Sequence, residues 1–172
     1  MSHLNVEIKA YYSDLARAQQ ILIQNNAIYQ GAVNQVDTYF NCSNGRLKLR
    51  EADDEVRLIH YQREDYKGPK QSVVTFYQPV DRSGLKEILT RSLGILVVVS
   101  KQREVYWIDN IKFHLDRVDQ LGNFVEIEAI DYEGTIGFDT LNQQCETYLN
   151  ALNIQEAQLI RNSYSDLLLA CH

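Results

Sequence analysis

The chain has 172 residues, 45% hydrophobic and 23% charged, with a formal net charge of −6 at neutral pH. That length suits one domain over 1–172 whose core hides about 70% of the surface of the unfolded chain. The acidic balance argues against nucleic acid as a partner, because binding a phosphate backbone needs an exposed basic stripe.

Cys42, Cys145 and Cys171 are odd in number, far apart and without metal-ligand spacing, so neither a disulfide framework nor a zinc site is expected. The longest aliphatic run, 95–99, is too short to span a bilayer, and no basic segment followed by an apolar stretch opens the chain. A cytoplasmic protein without membrane association is the expectation.

In chain order, 4–11 reads as a strand. Ser13 is then placed to cap a helix whose Leu15, Ala18, Ile21 and Leu22 form one stripe, ending at Asn25 and Asn26. Strands are predicted at about 34–41, 46–51, 56–63 and 72–78, punctuated by Asn44-Gly45, Asp53-Asp54 and Lys67-Gly68-Pro69-Lys70. A second helix spans 83–93, with Gly94 as its stop. Strands follow at 95–108, 111–118 and 124–131. In the last forty residues Leu141, Cys145, Tyr148 and Leu149, then Leu159, Ile160, Tyr164, Leu167 and Leu168, repeat at helical spacing. The order is a meander with interspersed helices, not β-α-β.

Charged residues fall on alternate positions of several strands and carry both signs: Glu7 and Lys9, Lys48 and Arg50, Lys101 and Arg103, Glu126 and Glu128. Residues i and i+2 share a strand face, so Val6 and Ile8, Leu47 and Leu49, and Val125 and Ile127 occupy the opposite, apolar face. An antiparallel sheet with one solvated face gives the same alternation. If helices cover the apolar faces, the charged faces line an interior instead. An eight-stranded barrel is wide enough for side chains or one small ligand, and a basic lumen with a few carboxylates suits a metal-bound polyphosphate.

A two-residue turn at Asp109-Asn110 sets Arg103 opposite Asp116. A five-residue connection through 119–123 then sets Asp116 opposite Glu126 and His114 opposite Glu128. Carboxylates gathered on one face repel unless cations neutralise them, which a divalent metal or a salt-bridge ladder around Arg103 and neighbouring lysines would do.

Residues 5–9, Asn-Val-Glu-Ile-Lys, resemble the N-terminal E-x-E-x-K signature of the CYTH superfamily of class IV adenylate cyclases and triphosphatases. The likeness continues in order through 35–40, 45–51, 61–63, 101–103, 114–116 and 124–128, and the tail 161–168 is similar to the class IV adenylate cyclase branch. The resemblance implies an α+β fold: a closed antiparallel eight-stranded β-barrel, the triphosphate tunnel, with helices packed outside. It implies Lys9, Lys48, Arg50, Arg63, Lys101 and Arg103 as phosphate-binding residues, with Lys9, Arg63 and Arg103 the catalytic candidates. Glu7, Asp116, Glu126 and Glu128 would hold Mg2+ or Mn2+, and Tyr61, Lys70, Lys112 and His114 are further lining candidates. Asn5 departs from the signature, placing a neutral amide where the first glutamate stands.

Three functions are open on these grounds. One is a class IV adenylate cyclase-like enzyme converting ATP to cyclic AMP and pyrophosphate. Another is a triphosphatase for inorganic triphosphate, thiamine triphosphate or nucleoside triphosphates. The third is a non-catalytic polyphosphate- or nucleotide-binding module. Length and periodicity are compatible with a homodimer.

Overall fold

The computed structural model describes residues 4–53, 55–62, 73–81 and 83–171. Arg63, Lys70 and the Gly68-Pro69 punctuation lie outside the described residues. Within them the fold is α+β, with nine strands and four α-helices. The strands are β1 (Leu4–Tyr11), β2 (Ile28–Phe40), β3 (Arg46–Ala52), β4 (Glu55–Gln62), β5 (Val73–Tyr77), β6 (Ile95–Ile108), β7 (Ile111–Val118), β8 (Gly122–Asp131) and β9 (Leu159–Ile160). The helices are α1 (Leu15–Gln24), α2 (Leu85–Leu93), α3 (Phe138–Ala151) and α4 (Tyr164–Ala170). The sheet order is β5-β4-β3-β2-β6-β7-β8-β1-β9. No helix among the described residues is long and apolar enough to cross a membrane.

The eight expected strands are all present, and β2 starts six residues earlier than the pattern suggested. Leu159 and Ile160 do not continue a helix. They form β9 and pair with Lys9 and Ala10 of β1, satisfying backbone groups that the helical period had assigned to an i→i−4 ladder. Asp14, not Ser13, caps α1, its carboxylate accepting from the Arg17 amide at 3.0 Å, because an ionised oxygen is the stronger acceptor for a helix's orphan N–H.

The chain divides into two compact units: Met1–Ala32, Gln102–Val118 and Gly122–Asn162 in the first, Val33–Lys101, Asp119–Leu121 and Ser163–His172 in the second. In the first unit β8 lies between β7 and β1, antiparallel to both. Val6, Ala10, Phe113, Leu115, Val125 and Ile127 share one sheet face and meet Leu15, Ala18 and Leu22 of α1 and Leu141 and Cys145 of α3 in one buried core. Each of the valine, leucine, isoleucine and phenylalanine side chains contributes about 1.5–3 kcal/mol when fully buried. The odd–even alternation therefore commits Glu7, Lys9, His114, Asp116, Glu126 and Glu128 to the other face.

The β7–β8 register differs from expectation. Val118 pairs with Gly122, so the connection is three residues, and Asp116 lies opposite Phe124, His114 opposite Glu126 and Lys112 opposite Glu128. The tighter turn is made possible by positive φ at Gln120 (66°) and Gly122 (97°), which the five-residue loop did not need. The slip is two residues, an even number, so every side chain stays on its predicted face.

In the second unit β2, β3, β4 and β5 form the meander. Gly45 turns β2 into β3 at φ +72°, and a Cβ there would sit 2.8 Å from both His60 Nε2 and the Tyr61 carbonyl oxygen. Ser163 caps α4 by accepting from the Asp166 amide, while Asp166 Oδ2 accepts from the Ser163 amide. Arg46 Nη1 donates to Ser163 Oγ at 2.9 Å, and Nη2 lies 3.0 Å from Asp166 Oδ1, which ties this short helix to the start of β3.

Candidate functional site

The charged face of the first unit is built by β1, β8 and β7, with Arg103 from β6. Arg103 meets Asp116 as a fork: Nε donates to Oδ1 at 2.7 Å and Nη2 to Oδ2 at 2.6 Å. The same Nη2 donates to Glu126 Oε2 at 2.8 Å. Glu126 also takes Lys9 on Oε1 at 2.9 Å and the His114 Nδ1–H on Oε2 at 2.9 Å. The Asp116 side chain is 0% exposed, so these charges are held out of water and depend on one another.

Burial works against ionisation of Glu126, but the charges of Arg103 and Lys9 outweigh it and hold this carboxyl well below the usual range. Burial, then the Arg103 charge, pushes His114 below its ordinary value. The imidazole is therefore neutral at pH 7, with its Nδ1–H directed at Glu126. Glu7 behaves oppositely: burial and the nearby Glu126 raise it, and Lys9 offsets only part. It lies directly opposite Glu128 across the β1–β8 pair, a like-charge facing that favours a bound cation.

Glu128 is held by Lys112 on Oε2 at 2.8 Å and by the Asn5 Nδ2–H on Oε1 at 2.8 Å. Burial raises it, and these two partners lower it further than burial lifts it. Asn5 thus does what a glutamate there cannot, donating to Glu128 instead of repelling it. A divalent cation suits this donor set chemically, since it consists of hard carboxylate oxygens with a raised, underneutralised member in Glu7. Among the described residues no three acidic, imidazole or thiol groups stand converged as a cage. The carboxylates face Arg103, Lys9 and Lys112, so a salt-bridge ladder is present on this face.

The second unit has its own charged cluster, centred on Asp37 of β2. Arg50 forks onto it, with Nε to Oδ1 and Nη2 to Oδ2 both at 2.7 Å. Lys48 Nζ lies 2.9 Å and Lys101 Nζ 3.4 Å from Oδ2. Burial opposes the Asp37 charge, but the Arg50 hydrogen bond and the Lys48 and Lys101 charges prevail and drive its pKa far down. Lys48 is lowered by burial despite Asp37, and it stands beside the rings of Tyr39 and Tyr61 at 5.3 and 5.8 Å. Burial pushes the Tyr61 phenol up to about 12.

The predicted residues therefore fall into two groups. Glu7, Lys9, Arg103, Asp116, Glu126 and Glu128, with Lys112 and His114, form one cluster; Lys48, Arg50 and Lys101, with Tyr61, gather around Asp37 in another. Asp37 was not among the predicted site residues. Its signal was partial: an acid two positions before Tyr39 alternates onto one face of β2, but its pairing with Arg50 is seen only in the strand register.

The family model described as the CYTH domain matches residues 3–164. A protein of Methanocaldococcus jannaschii, provisionally named an adenylate cyclase, is 29% identical over 178 aligned residues, covering 95% of this chain and 98% of that one. A solved Pyrococcus horikoshii structure superposes with a TM-score of 0.81 at 21% identity, over 96% of this chain and 99% of the other. The Hippeastrum protein HpAC1, provisionally named an adenylyl cyclase and described as having a dominant triphosphatase activity, gives a TM-score of 0.67 at 12% identity, over 99% and 96% of the two chains. These structural likenesses are of fold.

Proposed function

The chain belongs to the CYTH family, and from that premise we propose that it is a divalent-metal-dependent enzyme acting on a triphosphate, of the class IV adenylate cyclase type. The observation that supports this most directly is the Arg103–Asp116–Glu126–Lys9 network, buried on the face opposite the core. Buried ion pairs are poor stabilisers, because desolvating the charges consumes most of their attraction. Charges kept there at that cost are better explained by a charged ligand.

In this reading Lys9 and Arg103 of one cluster, and Lys48, Arg50 and Lys101 of the other, bind phosphate oxygens. Arg63 is assigned the same role by its motif. Glu7, Asp116, Glu126 and Glu128 would hold Mg2+ or Mn2+, which when bound supplies charge neutralisation along the phosphate chain. Arginine forks match phosphate geometry bidentately, and lysines add point charge. Phosphoryl transfer asks mainly for positioning and charge stabilisation, which fixed basic side chains provide without reorganising during the reaction. Asp116 fixes the guanidinium of Arg103, whose charge orients the phosphate chain, and the neutral His114 leaves Glu126 ionised.

Cyclisation and hydrolysis attack different phosphorus atoms of a similarly held chain. The order of motifs, the tail 161–168 and the name of the Methanocaldococcus relative favour cyclic AMP and pyrophosphate from ATP. Hydrolysis of inorganic triphosphate, thiamine triphosphate or nucleoside triphosphates is the second reading, favoured by the description of HpAC1. Product analysis with Mg2+ or Mn2+ tests both, with ATP, inorganic triphosphate and thiamine triphosphate offered in parallel and Glu126→Ala as control. Cyclic AMP lost in the variant supports the cyclase, and orthophosphate without cyclic product, also lost, supports the triphosphatase. Turnover that survives Glu126→Ala overturns the site.

A further inference from the structure

Asp37 lies on β2, between β3 and β6 in the sheet order, and cations reach it from both neighbours: Lys48 and Arg50 from β3, Lys101 from β6. Its side chain is 2% exposed, as is that of Lys101. A carboxylate repels phosphate, so its place among three cations proposed for phosphate needs a reason. We propose that Asp37 is a positioning residue, holding Lys48, Arg50 and Lys101 in the arrangement that takes up the phosphate chain. The proposal rests on the phosphate-binding role given to those three residues above.

The physical basis is preorganisation. Lysine and arginine stems lose much rotamer freedom when a ligand fixes them, and an internal carboxylate that fixes them beforehand moves that loss from binding to folding. The Arg50 fork uses both Asp37 oxygens and sets the guanidinium plane. Lys48 and Lys101 share Oδ2, so their separation is set by one atom.

Positioning and simple charge counting predict opposite signs. Removing a negative charge from a basic cluster should tighten anion binding if charge alone matters. If Asp37 positions the cations, the isosteric Asp37→Asn weakens it, by on the order of 10–100-fold, the usual loss when a partner orienting a ligand-binding group is removed. A pH readout separates this from general damage. The groups facing Lys48 are Asp37 and Tyr39 of β2, Arg50 of β3 and Tyr61 of β4, with Lys101 sharing Asp37. Without the Asp37 charge, buried Lys48 gives up its proton at lower pH, and the alkaline limb of binding moves down with it.

The test is calorimetric binding of inorganic tripolyphosphate to the full chain between pH 6 and 10, wild type against Asp37→Asn, with tyrosinate absorbance separating Tyr39 and Tyr61 from Lys48. Weakened binding with the alkaline limb displaced downward is expected. Binding that is unchanged or tighter in Asp37→Asn overturns the proposal and leaves the phosphate reading intact; no binding by wild type overturns both. Should Asp37→Asn not fold, side-chain ammonium relaxation of Lys48 and Lys101 in the free wild type decides. Restricted ammonium groups that keep their order on adding tripolyphosphate support positioning, and freely rotating ones overturn it.

Discussion

At the scale of single residues, Arg103 is decisive because one guanidinium serves two carboxylates. Arg103→Lys keeps the charge but cannot fork onto Asp116 while reaching Glu126. Turnover per KM on the preferred triphosphate should fall by roughly 10²-fold, as when one preorganised donor is lost. Steady-state kinetics beside an unchanged circular dichroism spectrum check this. Asn5 gives a prediction with two signs. Asn5→Glu replaces a donor to Glu128 with a like charge, so the metal-free variant should melt at lower temperature than wild type. The added carboxylate should also bind Mn2+ about tenfold tighter, read by Mn2+ paramagnetic resonance without substrate. Alternation alone made Glu7, Lys9, Arg103, Glu126 and Glu128 readable, whereas Asp116, His114 and Lys112 entered through the hairpin register or the family resemblance. The pairing that gives Asn5 and Asp37 their meaning was not readable, because it depends on cross-strand register, which alternation leaves free by any even number of residues.

At the scale of elements, α4 has seven residues, too few to hold a helix in water without tertiary support. Its cap and part of its tie to β3 pass through Ser163, whose Oγ takes the Asp166 amide and an Arg46 N–H. Ser163→Ala should cost about 0.5–2 kcal/mol, and hydrogen exchange should show Leu167 and Leu168 losing protection well before the strands do. Local signals marked this level unevenly. The apolar stripe of α1 and the stop at Gly94 were legible, since period and turn chemistry are local. The short β9 was not, because Leu159 and Ile160 fit a helical stripe as well as a strand, and only Lys9 and Ala10, 150 residues away in sequence, select the strand. The β7–β8 turn was misjudged in length because Gln120 adopts positive φ, a conformation its side chain does not advertise.

At the scale of the whole molecule, acid response follows from Asp37. Its folded pKa is depressed relative to the unfolded chain, so its stabilisation is complete above the unfolded value of about 3.9 and is lost as pH falls below that toward the folded value. Urea melts at pH 7, 4, 3 and 2 should show stability declining most steeply below about pH 4, with the decline shallower in Asp37→Asn. The three thiols add a different kind of consequence. Cys42 and Cys171 are exposed, whereas Cys145 is enclosed in the first unit's core, with burial pushing its thiol up to about 11. A disulfide reagent should therefore consume two equivalents at once and the third only as fast as that core opens. The chain carries its own clock: the slow phase times opening events around Cys145 under native conditions, and a bound triphosphate should lengthen its tick.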